Sequence, residues 1–330
     1  MSLSIGPAVL EDRYFDSAGV PIRFVEAGAG EPVILLHGYS SSLEEGWVDR
    51  GVVAALSATH RVIALDARGH GKSGKPHDRA AYGPEMGRDV IRLMDHLGLP
   101  QAHIMGYSMG AHVVAQLATR SPERFRSLIL GGSAGRLGWT AADQARVDAE
   151  ADEMDQGLLN AQILRLWPRE RPKPSDAELR EMSARRLEGK DPRALAAIRR
   201  SNPDQVVALA ELAAIPVPVL GIVGTADPYQ KDLERVQAVL PGMTLVRIEG
   251  ATHGNAVGRP EYVEAVLAFL GRQPPMPAAG PLAPEEDGPE EDGPAEYASP
   301  ACFLHELDPA FGGPATPPGT TPKGRSGGRP

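Results

Sequence analysis

The sequence predicts an α/β fold in which a mostly parallel sheet carries helices on both faces. Short runs rich in β-branched and apolar residues alternate with longer amphipathic stretches, the pattern of strand, crossover helix and strand. Most of the short runs are continuously apolar rather than alternating, as expected of strands covered on both sides. A third observation sets one region apart: between Ser133 and Ala214 helix starts recur without any convincing strand.

The strands are expected at residues 22–26, 33–36, 62–65, 103–105, 128–130, 219–223 and 245–248. Helical periodicity fills residues 52–57, 84–97, 109–119, 233–240 and 260–270, the last opening on Pro260, whose missing N–H costs nothing at a helix start. In the strandless region the start signals are Thr140, Ser175 with Glu178 three residues on as a capping box, Asp191-Pro192 and Asn202-Pro203. Residues 133–214 are therefore expected to form a helical insertion. Its Trp139, Met154, Leu158, Leu159, Leu164, Leu166 and Trp167 either line a pocket or pack a small core of their own. From Arg272 onward Pro, Gly, Ala, Glu and Asp dominate, a composition that cannot bury enough apolar surface to offset its ordering entropy, so residues 272–330 are expected to be a disordered tail.

A net charge of −9 with no stripe of Lys and Arg argues against nucleic acid or an anionic membrane as partner. The N-terminal stretch lacks a basic segment followed by a long apolar one, and no run approaches the ~18 apolar residues of a membrane span. A single cysteine, Cys302, excludes an intrachain disulfide. A soluble cytoplasmic protein is the expectation. The oligomeric state is left open.

The chemistry centres on G106-Y-S-M-G110, which follows the strand at 103–105 and opens a helix. Glycines at both flanks relieve the clashes of a tight strand-to-helix turn, so Ser108 can be held exposed above the sheet as a nucleophile; the plainer alternative is a helix-capping serine. A serine hydroxyl needs a base and the base an orienting carboxylate. Asp227, in G224-T-A-D-P, and His253, in G250-A-T-H-G, each follow a later strand directly, at the strand ends where open parallel sheets place their sites. Asp66 also follows a strand but precedes the serine, within D66-A-R-G-H-G-K-S-G, so Asp227 is the expected acid. His60, His77, His96, His103 and His112 are read as solvated or packing residues, and His37 and His70 as parts of turn motifs. For a developing oxyanion the expected donors are the backbone N–H of Met109, at the helix start, and that of Tyr39, in H37-G-Y after the strand at 33–36.

Taken together and in this order, H37-G38, D66-A-R-G-H-G-K-S-G, G-Y-S-M-G, G-T-A-D-P and A-T-H-G resemble the α/β-hydrolase family over about residues 11–271. The resemblance implies an α/β-hydrolase fold with a mostly parallel eight-stranded sheet, no cofactor, and a helical cap between the sixth and seventh strands. The core is then 1–132 with 215–271, and the cap 133–214. Members resembling haloalkane dehalogenases or epoxide hydrolases carry Asp at the elbow, and Ser108 argues against both. The expected function is a serine hydrolase cleaving a small carboxylic ester or lactone through an acyl-enzyme. The same triad would also serve a carbon–carbon bond hydrolase or a cofactor-free perhydrolase. No Arg pair is spaced in the sequence as an obvious dicarboxylate clamp, although Arg136, Arg165 and Arg199 are candidates.

A rival of another class is a non-catalytic binding protein acting through its tail. There, residues 297–311 set aromatic and aliphatic residues beside Cys302, His305 and Glu306, a candidate docking segment for a protein partner. Two ligands, Cys302 and His305, are too few for a closed zinc site, so no metal is expected.

Overall fold

The computed structural model describes residues 10–168 and 171–275. Eight strands form one sheet: β1 (Arg13–Ser17), β2 (Val20–Ala27), β3 (Pro32–Leu36), β4 (Arg61–Leu65), β5 (Ala102–Tyr107), β6 (Phe125–Gly131), β7 (Val219–Gly224) and β8 (Thr244–Ile248), in the spatial order β1-β2-β4-β3-β5-β6-β7-β8. β2 is antiparallel to both β1 and β4, and every other pairing is parallel. β1 was not among the expected strands. It is a five-residue edge strand with only Phe15 and Ser17 buried, too short and too polar to stand out.

Period-2 side-chain alternation gives the sheet two apolar faces. Ile34 and Leu36 of β3 join Ile63, Leu65 and Ile104 on one face, while Val33, Leu35, Val62, Ala64 and Met105 belong to the other. The first face is covered by α2 (Pro84–His96), α3 (Met109–Arg120) and α9 (Gln230–Val239), through residues such as Val90, Val114 and Leu233. The second is covered by α1 (Val52–Leu56) and α10 (Pro260–Leu270), through Leu56, Tyr262 and Phe269. Burial on both sides is why the central strands read as unbroken apolar runs.

Between β6 and β7 the chain is helical: α4 (Ala141–Asp155), α5 (Asn160–Arg165), α6 (Asp176–Leu187), α7 (Pro192–Arg200) and α8 (Leu209–Ala213). Thr140 and Ser175 cap α4 and α6 in reciprocal capping boxes with Asp143 and Glu178, and the Asp191 side chain caps α7. Asn202-Pro203 begins only a 3-10 turn, Asn202–Gln205. The chain has five residues in which to leave α7 and reach Val206, which bridges to Arg136, and an α-helix does not fit that span. Met154 and Leu159 are buried in the same apolar cluster as α3, whereas Leu164 is exposed. Among the described residues no helix is long and apolar enough to cross a membrane. The 297–311 segment, with Cys302 and His305, lies outside the described residues.

Candidate active site

Ser108 sits between β5 and α3 with φ 54° and ψ −109°, a conformation that L-residues adopt only under constraint. Two close approaches impose it. A Cβ on Gly106 would lie 2.3 Å from the Gly110 carbonyl oxygen, and one on Gly110 would lie 2.2 Å from that of Leu36. Only glycine at both places lets α3 start this tightly against the ends of β3 and β5. The Ser108 N–H donates to Gly131 O of β6 at 2.8 Å, pinning the turn to the neighbouring strand.

The other two predicted side chains meet the serine. Asp227 follows β7 and His253 follows β8; His253 Nδ1 is 2.8 Å from Asp227 Oδ2, and its Nε2 is 2.8 Å from Ser108 Oγ. With Nδ1–H donating to Asp227, the lone pair on Nε2 faces the hydroxyl, the orientation a general base needs. Asp227 Oδ1 accepts from Tyr229 N–H at 2.9 Å, so both carboxylate oxygens are occupied and the group cannot turn away. The His253 carbonyl accepts from the Tyr107 hydroxyl at 2.6 Å, and the Tyr107 and Tyr229 rings flank the imidazole at 5.4 and 5.3 Å. Tyr107 and Tyr229 escaped the sequence reading. Their only signal is adjacency, one residue before the serine and two after the aspartate.

The H37-G-Y39 turn is held by buried groups. His37 Nε2 accepts from Ala67 N–H at 3.1 Å, and His70 Nε2 accepts from Ser40 N–H at 3.3 Å. Burial keeps both imidazoles below their ordinary pKa, so each remains neutral with one nitrogen free to accept. Asp66 is fully buried, accepts from the Leu43 and Lys72 amides at 2.8 Å each, and pairs with Arg23 at 3.0 Å. Its place is in this scaffold, away from Ser108. The turn itself runs close beside the serine: a Cβ on Gly38 would be 3.5 Å from Ser108 Cβ. Neither the Tyr39 nor the Met109 amide donates to a protein acceptor among the described residues, and Met109 opens α3, where the first amides have no intrahelical partner.

Ser108 and His253 stand where two cavities meet, one of about 360 Å³ and the other of about 680 Å³. The smaller is bounded by Tyr39, His112, Trp139, Leu166 and Tyr229, together with Arg136, Arg146, Arg165 and Arg199. Glu150 on α4 pairs with Arg146 at 3.3 Å, with Arg165 at 3.1 Å and with Arg199 at 3.3 Å, tying α4, α5 and α7 together through one carboxylate. Those guanidiniums hold Glu150 below the usual carboxylate range against the opposing effect of its burial. Arg199 also lies 3.9 Å over the Tyr39 ring. Trp139 and Leu166 thus reach the cavity, whereas Met154 and Leu159 pack the core. His112, read from the sequence as a solvated or packing residue, lines the cavity one helical turn after Ser108. Among the described residues no group of three or more His, Cys, Asp or Glu side chains is gathered to hold a metal.

The sequence model of the alpha/beta hydrolase fold matches residues 31–255, about two thirds of the chain. The chain belongs to the alpha/beta hydrolase family. This alpha/beta hydrolase is 29% identical to haloalkane dehalogenase 2 of Mycobacterium tuberculosis, over 78% of the present chain and 93% of the relative. It is 37% identical to the 2-hydroxymuconate semialdehyde hydrolase of Pseudomonas sp. (strain CF600) over 125 residues, which is 37% of the chain and 44% of that protein. The chain spans less than half the length of the first curated relatives it matches. Among solved structures, the enol-lactonase from Burkholderia xenovorans LB400 superimposes with a TM-score of 0.64 at 25% identity, covering 78% of this chain and all of that one.

Proposed function

We propose that this alpha/beta hydrolase is a serine hydrolase acting on a small carboxylic ester or lactone. The observation that carries the reading is the relay of two 2.8 Å contacts from Asp227 through His253 to a strained Ser108. Ser108 Oγ attacks the carbonyl carbon while its proton passes to His253 Nε2. The displaced π electrons collect on the carbonyl oxygen, which the amides of Met109 and Tyr39 stabilise; each such donor is typically worth about 3–4 kcal/mol in the transition state. Collapse breaks the C–O bond, and Nε2–H protonates the departing alkoxide. Water then attacks the acyl-enzyme, losing its proton to His253, and Ser108 is regenerated. In this reading α4–α8 form a cap over the site, and Tyr107 and Tyr229 are positioning residues for His253 and Asp227.

Carbon–carbon bond cleavage on the same triad is the second reading, favoured by the similarity to a 2-hydroxymuconate semialdehyde hydrolase. Hydrolysis of short-acyl aryl esters by the wild type and by Ser108→Ala, with fluorophosphonate labelling, tests the main reading. We expect a loss of at least about 10³-fold and no label on the variant. Equal rates, or a folded wild type that takes no label, would leave the binding-protein alternative in its place.

A further inference from the structure

Arg136 lies just beyond β6, facing the smaller cavity beside Ser108, and it differs from the other guanidiniums there. Arg146, Arg165 and Arg199 share Glu150, and Arg146 has Asp143 as well. Arg136 forms no ion pair among the described residues, and its Nε is sealed from solvent with no hydrogen-bond partner. The nearest compensation is the Trp139 ring, 5.5 Å from the guanidinium carbon, which is a weaker partner than a carboxylate. Burial and the neighbouring Arg199 lower its pKa to about 10, so the charge persists at neutral pH. The same field acts on His112, whose pKa is pushed well below its ordinary value first by burial and then by Arg136, Arg199 and Arg165. The cavity is therefore cationic through its arginines alone.

A buried, unpartnered cation is costly, and a folded chain retains one where something outside the chain completes it. A carboxylate matches: a planar guanidinium fork donates to its two oxygens side by side, and one uncompensated charge answers one.

Resting on the serine hydrolase reading, we propose that the ester or lactone cleaved at Ser108 carries a carboxylate, and that Arg136 is the specificity-determining residue that receives it. Binding such a group orients the scissile carbonyl at the junction of the two cavities, where Ser108 and His253 stand. A neutral ester of the same length would leave Arg136 bare and gain nothing from that subsite.

The test uses paired probes. The monomethyl and dimethyl esters of succinate, glutarate and adipate place the charge on the acyl half. O-acetylated hydroxy acids and their methyl esters place it on the leaving half. We expect kcat/KM for the anionic member to exceed that of its neutral partner at least tenfold in one series. In Arg136→Met that ratio should fall at least tenfold, with Arg136→Lys between. The melting temperature of Arg136→Met should hold or rise, because the variant loses an unpaired buried charge, whereas a merely structural arginine would lower it. Preference for the neutral ester at every length in both series overturns the proposal without reference to any variant, and so does an unchanged ratio in Arg136→Met. Calorimetric binding of the same probes to Ser108→Ala separates the two readings. Tighter binding of the anionic member, lost on adding Arg136→Met, with no turnover by the wild type, would uphold the carboxylate site and refute the hydrolase. Turnover without charge discrimination would do the reverse.

Discussion

Replacing Asp227 with asparagine removes one charge and almost no volume, yet the hydrogen-bond map predicts near-complete loss of activity. The carboxylate accepts twice, from Tyr229 N–H at 2.9 Å through Oδ1 and from His253 Nδ1 at 2.8 Å through Oδ2. An asparagine amide has one acceptor and one donor end, so it cannot serve both. Turning its oxygen to the imidazole leaves the Tyr229 N–H facing an NH2 group, a penalty of about 1–3 kcal/mol for an unsatisfied buried donor. The favoured orientation keeps the Tyr229 bond and presents NH2 to His253 Nδ1. The imidazole must then accept at Nδ1 and carry its proton on Nε2, toward Ser108 Oγ, where it cannot act as a base. This trapping costs about 5- to 150-fold. Loss of the negative charge opposite the imidazolium that forms during attack adds about 4 kcal/mol for a contact of this kind at the effective dielectric of a protein. The sum is about 5–7 kcal/mol, or a fall in kcat of about 10⁴-fold or more. Steady-state hydrolysis of a short-acyl aryl ester at pH 7 measures it, with thermal denaturation to show that the fold survives. A folded Asp227→Asn enzyme retaining more than about one-hundredth of the wild-type kcat would refute the relay.

Two predictions concern the scaffold. Gly110→Ala places a Cβ 2.2 Å from Leu36 O and 2.9 Å from His37 O, both backbone atoms that cannot swing aside; overpacking of this kind costs about 3 kcal/mol or more, and the melting temperature should fall by at least about 5 °C. Gly38→Ala, whose Cβ meets nothing nearer than 3.5 Å, should melt within about 2 °C of the wild type, and equal shifts in the two variants would refute the steric account. The buried imidazoles His37, His70 and His112 all have pKa values depressed by burial below the ordinary 6.5. The unfolded chain would protonate them below that pH while the folded protein does not, so unfolding takes up protons and stability falls as the pH drops below about 6.5, toward the depressed folded values. The slope approaches roughly 1.4 kcal/mol per pH unit for each histidine, and thermal denaturation that is flat between pH 7 and 5 would refute it.

Much of this molecule is legible in its sequence because the relevant signals are local. A strand buried on both faces must be apolar throughout, which exposes β3 to β7 to direct reading, while edge strand β1 buries too little to be noticed. Ser108, Asp227 and His253 each lie within five residues of a strand's C-terminal end, so their convergence on one edge of the sheet follows from the parallel topology. His112 could have been found by the same local logic: residues four apart share a helix face, and Ser108 directly precedes α3. The cavity wall is different in kind. Arg146, Arg165 and Arg199 lie on three separate helices, with nothing in their spacing to distinguish an arginine that turns inward to Glu150 from one that faces solvent. Only the packing of α4, α5 and α7 decides it.

That packing inverts the charge balance locally. The whole chain carries a net −9, which by itself would discourage an anionic ligand, but two Debye lengths at physiological ionic strength are only about 16 Å, so distant surface carboxylates contribute little inside a walled cavity. What a ligand at Ser108 meets is set by the groups lining that cavity, where guanidiniums outnumber carboxylates. Glu150 could neutralise one arginine and instead is divided among three, leaving Arg136 with none. An average taken over the sequence therefore speaks only to partners such as nucleic acid and anionic membranes, which need an extended basic surface, and is silent about a small anion, which needs only one well-placed cation. The negative net charge of the chain and the cationic cavity are compatible because the two act over different distances.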